Sequence, residues 1–324
     1  MQPFFVPNVS NEADLIVFEC DDSFDERIES LKYAIQFVYL SIGAWLNAAI
    51  LWTIWWKNRD AYARNSFFVL FSMDCGVSLT LIVCDVFFVR LLIYVTPLCP
   101  YLHTYFTSPL VFFKFIFILI HHSKVCKSLL QSLLVLNRMT CVLLPIQHSA
   151  TWRTGLRALV PFVVLAPLSV DWNLAVSRHY MMPTYGGFWV NYIKKVEWAS
   201  QSRFQLLFIV VALVFIVVCT LLTLHTLCTL HKRMRDLERS ITIATLINSA
   251  GFATLAVFLI LFSFFNFNTF VTSIYALNMF AYDFLNVGSP IVMLCVSRSV
   301  REHVFSWRDP RHSSMFPVSI TAAN

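Results

Sequence analysis

The stretch Leu133–Pro145, LLVLNRMTCVLLP, closes a long apolar run with the pair Asn137-Arg138 and sets a proline seven residues past the arginine. A permanent charge there needs a reason, because the chain around it is oily: of 324 residues, 58% are apolar, 16% aromatic and only 13% charged. Soluble domains are nearer half apolar, so this is the composition of a membrane protein. A bilayer core about 30 Å thick takes about 20 mainly apolar residues per helical crossing. Seven such runs occur, at 31–56, 66–93, 110–138, 156–175, 204–230, 240–265 and 272–296. Lipid offers no partner to a free backbone amide, and the alternating strands of a membrane barrel are not seen, so helices are expected. The expected fold is all-α, a seven-transmembrane helix bundle at 31–296, with an N-terminal segment at 1–30 and a tail at 297–324.

Basic residues collect on cytoplasmic loops and so orient the bundle. With the N-terminus outside, fourteen lysines and arginines fall on the inner side and five on the outer side, and the other five lie within spans. That asymmetry predicts an extracellular N-terminus. The first thirty residues carry eight acids and one arginine, lack a signal-peptide core, and include the glycosylation sequon Asn8-Val9-Ser10. Under this topology Cys20 and Cys99 are the only cysteines on the oxidising side, so a disulfide between them is the economical expectation, with two free thiols as the alternative. The other seven cysteines fall in spans or at their inner ends and read as small hydrophobes; no metal-ligand spacing, no cofactor motif and no nucleic-acid signature is present.

The third run decides what the bundle is for. His121, Lys124, Ser128, Gln131, Val135 and Arg138 recur at steps of three and four and form one stripe, polar almost throughout, which faces protein or water rather than lipid. Arg138, at the predicted cytosolic mouth, serves as a topology marker in one reading and as a signalling residue in the other. A polar spine, an arginine at its inner end, a proline seven residues on and six further helices resemble a G-protein-coupled receptor. LLVLNRMTCVLLP followed by Trp152, KYAIQFVYLSIG in the first run, YGGFWVNYIKKVEW before the fifth and SPIVMLCVSRSVR closing the seventh are together similar to the nematode serpentine receptor class gamma (Srg) family of chemosensory receptors. The resemblance covers nearly the whole chain and implies a receptor in the plasma membrane of a sensory neuron, detecting a small molecule and activating a heterotrimeric G protein. It implies no catalysis. Two departures stand out: 176–203 holds no cysteine for the usual bridge to helix three, and Ser289-Pro290 lacks the Asn and Tyr of the usual seventh-helix motif.

Other classes fit less well. Retinal needs a lysine in the last span, and none follows Lys232. An intramembrane aspartyl protease needs two carboxylates, and Tyr282-Asp283 supplies one without a Gly-x-Gly-Asp motif. Adjacent His121 and His122 point about 100° apart on a helix and do not converge on a metal. A seven-helix subunit of a ligand-gated channel, of the type with its N-terminus inside, is the remaining alternative, and the basic residues oppose it.

Depth along the helices supplies the expected sites. Lys127 stands roughly 16 Å above Arg138 and Asp74 roughly 15 Å above Arg64, at 1.5 Å per residue, so the two are level. They are expected to pair, with Asn47 as a third member; the competing reading is a lysine that snorkels along lipid. Lys124 and Asp283 are level roughly 21–22 Å up. Because the resemblance places helices three and seven across a ligand cavity, these two are expected to line it with His121, below Asp85 and Asn278, between the aromatic walls Tyr275 and Tyr282. A structural Lys124–Asp283 bridge is the competing reading. The binding role favours a small polar or anionic ligand. The inner face, Asn137, Arg138, Lys232, Arg233, Arg235, Arg298 and Arg301, is expected to meet the G protein, with Ser297–Trp307 lying along the membrane as an amphipathic helix.

Overall fold

In a computed structural model of the protein, the described residues are 20, 24–102, 111–196, 198–229, 246–247, 249–257, 260–261 and 271–305. They form helices, in chain order, that we label α1 (Glu26–Lys57), α2 (Ser66–Tyr94), α3 (Val111–Leu143), α4 (His148–Val176), α5 (Gln201–Thr229), α6 (249–257), α7 (Val271–Val296) and α8 (Arg298–Phe305). Among the described residues, five helices are long and apolar enough to cross a membrane. α3 is as long but carries Lys114, Lys124, Lys127 and Arg138 along its length.

Asp25 caps α1 through its carboxylate, accepting from the amides of Arg27 and Ile28, and Asn65 caps α2 by accepting from Phe67. Among the described residues, three π turns interrupt the helices: Thr53–Lys57 ends α1, Val86–Arg90 lies within α2, and Phe284–Gly288 lies within α7. Proline leaves a helix one donor short, and two of the bundle's joints are built on that deficit. Pro167 in α4 has no N–H for the carbonyl of Val163, and the Cys126 thiol of α3 donates there instead at 3.3 Å. Pro290 in α7 has none for the carbonyl of Asn286, which accepts from the Asn47 amide of α1 at 3.0 Å. Asn47 is fully buried and also donates to Gly43. At Gly43 a Cβ would sit 2.5 Å from a Val287 methyl, so α1 and α7 touch closely there.

The expectation of an all-α chain is corrected between α4 and α5. Residues Arg178–Thr184 (β1) and Gly187–Ile193 (β2) pair antiparallel as a hairpin, with Tyr180 opposite Asn191 and Met182 opposite Trp189. Its two-residue turn has positive φ at Tyr185 (55°) and Gly186 (78°), the primed geometry that suits a twisted hairpin. A left-handed tyrosine is unfavourable by itself; the ring here packs against Phe24 and Tyr94. Gly187 is required for another reason: a Cβ would collide with the carbonyl of Leu92 at 2.1 Å, so β2 lies directly on the end of α2. One hairpin face, Met181, Phe188 and Val190, packs with Leu92, Phe117 and Cys99. Cys99 is disulfide-bonded to Cys20 across 79 residues, tying the N-terminal segment to the same end. The span boundaries shift as well. α3 runs to Leu143, five residues past the predicted end, so Arg138 lies more than a turn inside it.

Candidate functional site: a hairpin-roofed cavity

A cavity of about 630 Å³ opens between α2, α3, α5 and α7, with Tyr180, Trp189 and Asn191 of the hairpin along its roof. That volume suits a small ligand. Asp85, His121, Lys124, Asn278, Tyr282 and Asp283, the expected site residues, all line it. Tyr275 belongs to α7, but its side chain lies outside the described residues.

The competing reading, a structural Lys124–Asp283 bridge, does not form, and the residue paired with Asp283 is Arg90. Arg90 is 1% exposed and works as a hub. Its Nη2 donates to Asp283 Oδ1 at 2.6 Å, its Nη1 to Gln36 Oε1 at 2.8 Å and to the Tyr39 hydroxyl at 2.9 Å, and its Nε to Asp85. The Tyr39 hydroxyl donates in turn to Asp283 Oδ2. Three helices are joined by one guanidinium, whose fixed fork of donors allows this where an ammonium would not. Asp85 therefore acts at the level of Asp283 rather than above it. The π turn explains the geometry: residues five apart on an α-helix point about 140° apart, whereas i→i+5 winding sets Asp85 and Arg90 side by side.

Lys124 makes no ion pair among the described residues. Its ammonium lies 4.5 Å from the centroid of the Tyr282 ring, whose hydroxyl accepts a hydrogen bond from Gln205. A cation over an aromatic face is partly satisfied. His121 packs against Phe117 at 4.6 Å, and its neighbour His122 pairs with Asp171 of α4 at 2.8 Å, so the two histidines do diverge.

Below the cavity, Lys127 is 1% exposed and donates to Asp74 Oδ2 at 2.8 Å and to Ser78 Oγ at 2.5 Å, while Gln131 donates to Asp74 Oδ1 at 3.0 Å. The snorkelling alternative is thereby removed. Asn47 is not the third member of this group; Pro290 claims its amide for the α1–α7 joint, and Ser78 and Gln131 complete the cluster instead.

At the far end, Asn137 and Arg138 are buried, so in this conformation neither presents a surface. Asn137 donates to Ser66 Oγ at 2.7 Å, and the Arg138 guanidinium stacks on Phe67 at 3.7 Å. Arg301 donates to the carbonyls of Leu294 and Cys295, closing the last turn of α7, and exposed Arg298 pairs with Glu302 within α8. Val300 is buried beneath α8 and Phe305 packs beside Trp45. Lys232, Arg233, Arg235, Asn8 and Trp307 lie outside the described residues.

Sequence reasoning missed Arg90, Gln205 and the hairpin. The hairpin did carry a signal, Gly186 at a turn followed by the aromatic and β-branched run Phe188–Ile193. Among known proteins, a family profile described as Srg family chemoreceptor matches residues 33–304. Serpentine receptor class gamma-14 of Caenorhabditis elegans is 50% identical over 93% of this chain and 92% of its own length. Serpentine receptor class gamma-11 is 47% identical over 99% and 97%, and class gamma-5 is 37% identical over 97% of each, both from the same nematode. The helices, the cavity and the likeness along nearly the full length agree, and the chain belongs to the Srg family of chemoreceptors, multi-pass membrane proteins with a serpentine helix bundle.

Proposed function

We propose that this receptor sits in the plasma membrane of a sensory neuron with its N-terminus outside, takes a small polar or anionic molecule into the hairpin-roofed cavity, and activates a heterotrimeric G protein at the Arg138 end. The observation that carries this reading is Lys124, a cavity cation set against an aromatic face and in no ion pair among the described residues. An entering carboxylate gains a charge-assisted hydrogen bond there and withdraws the ammonium from Tyr282, which perturbs the contact between α3 and α7. At the other end, covered Arg138 and Asn137 define a state in which the transducer surface is withheld; separation of α3 from Phe67 and Ser66 uncovers it. Lys232, Arg233, Arg235, Arg298 and Arg301 complete that surface, and Asn8 carries glycan on the outer side.

The test is expression with a calcium or cAMP reporter, challenged by small carboxylates, alcohols and amines. Carboxylates are expected to act. Lys124→Gln should keep surface staining near wild type and lose at least tenfold in potency, while Arg138→Ala should keep ligand binding and abolish signalling. An unchanged carboxylate response in Lys124→Gln overturns the ligand assignment. Antibody access to an N-terminal tag on intact cells decides the topology.

A further inference from the structure

Gln205 of α5 and Tyr282 of α7 form a closed rung across the cavity wall. Four residues earlier on each helix, and so on the same face one turn nearer the hairpin, stand Gln201 and Asn278. Both line the cavity. This second rung is open: neither Oε1 nor Nε2 of Gln201, nor Oδ1 of Asn278, has a hydrogen-bond partner among the described residues. Gln201 is only 2% exposed, and buried amides are paired in the great majority of native proteins. Its position is nevertheless fixed, because its backbone amide donates to the hydroxyl of Tyr192 at 2.9 Å and so ties the start of α5 to the hairpin.

We propose that Gln201 and Asn278 form a recognition subsite for a second polar group on the ligand whose anion sits at Lys124. This rests on the reading of the cavity as the ligand seat. Two carbonyl oxygens need donors and one amide nitrogen needs an acceptor, so the matching group both gives and takes hydrogen bonds: a hydroxyl or a primary carboxamide. Lys124 lies at the level of Tyr282 and the open rung is one turn away, about 5.4 Å, which corresponds to about four bonds of an alkyl chain. The ligand class is thus a short carboxylate with a hydroxyl or carboxamide at its other end, its middle packed on the aromatic walls.

The experiment is ligand-dependent thermal stabilisation of the full-length receptor in nanodiscs, with pentanoate, 5-hydroxypentanoate and 4-carbamoylbutanoate as probes. The two bifunctional acids are expected to bind about tenfold more tightly than pentanoate, the gain from a satisfied hydrogen-bond pair. Gln201→Met and Asn278→Leu, which keep shape and remove the polar atoms, should each shrink that preference below about threefold. Equal affinity for all three probes, a preference that survives both variants, or no binding by any probe overturns the subsite. If pentanoate and the bifunctional acids bind alike and all depend on Lys124, the subsite fails while the anion seat stands. If binding is indifferent to Lys124→Gln, the anion seat fails too.

Discussion

Arg90 and Lys127 are both buried cations of this receptor, and they are partnered in opposite ways. Lys127 meets one carboxylate, Asp74, and the cluster is completed by a serine and a glutamine without touching the cavity. Arg90 meets two carboxylates, Asp85 and Asp283, at the cavity wall. Formal charge sums to zero around Lys127 and to minus one around Arg90, and the balancing charge across the cavity is Lys124. One cluster is a closed clasp between two helices. The other balances only when a third charge, Lys124, is counted, and that charge is the one the proposed function gives to the ligand. A buried cation thus says little by itself about site or scaffold; the number of acids around it, and whether they face a cavity, separates the two roles.

The comparison is broken most severely at the closed clasp. Asp74→Asn leaves Lys127 buried without a counter-charge, a loss of about 3–5 kcal/mol. Surface expression should fall nearly to background and recover in part with Lys127→Gln added. Strictly additive losses in the double variant would show that the pair is not a unit.

Next in size is the tether over the open region. Cys20→Ser removes a cross-link across 79 residues, about 2–4 kcal/mol. The melting temperature in nanodiscs should drop, and ligand affinity with it, whereas an equal drop on reducing Cys99→Ser protein would point to some other thiol. Arg90→Lys comes third: it keeps the charge and loses the fork, so about 1.5–3 kcal/mol of charged hydrogen bonding to Asp283, Gln36 and Tyr39 weakens. Its surface level should fall between wild type and Asp74→Asn.

A pH effect on the roof is confined to acid and vanishes at neutral pH. His179 is 4% exposed on β1, and burial among Phe117 and Tyr192, with Lys114 nearby, lowers its pKa from 6.5 to about 4. The folded hairpin holds it neutral, so that contribution is present above about 6.5 and is lost as pH falls toward about 4. His179→Phe should flatten the melting temperature across that window relative to wild type. Last, Glu302→Ala cuts only the exposed pair with Arg298 on α8 and should leave expression and melting unchanged; a measurable loss would give that surface more weight than either buried cluster predicts.

The sequence made the spans readable because apolar runs of bilayer length leave few alternatives. Depth arithmetic places Asp74 and Lys127 at one level because α2 and α3 are regular over those turns, so 1.5 Å per residue holds. The same arithmetic could not find the Arg90 hub: Val86–Arg90 winds as a π turn, and no helical periodicity puts a residue beside its fifth neighbour. Asn47 misled for a different reason, since its partner is a backbone carbonyl freed by a proline 243 residues away. The hairpin is masked by its setting, a short alternating pair between two long apolar runs.

The π turn of α2 also divides that helix for anyone aligning it. One extra residue within a turn advances every later side chain by about 100°, so positions before Val86 and after Arg90 follow two separate wheels. A single deletion there, at Phe88 for instance, changes almost nothing in hydropathy yet turns Leu92, against which the hairpin rests, out of register with the half below. In α2, residue count is therefore as binding a constraint as residue identity.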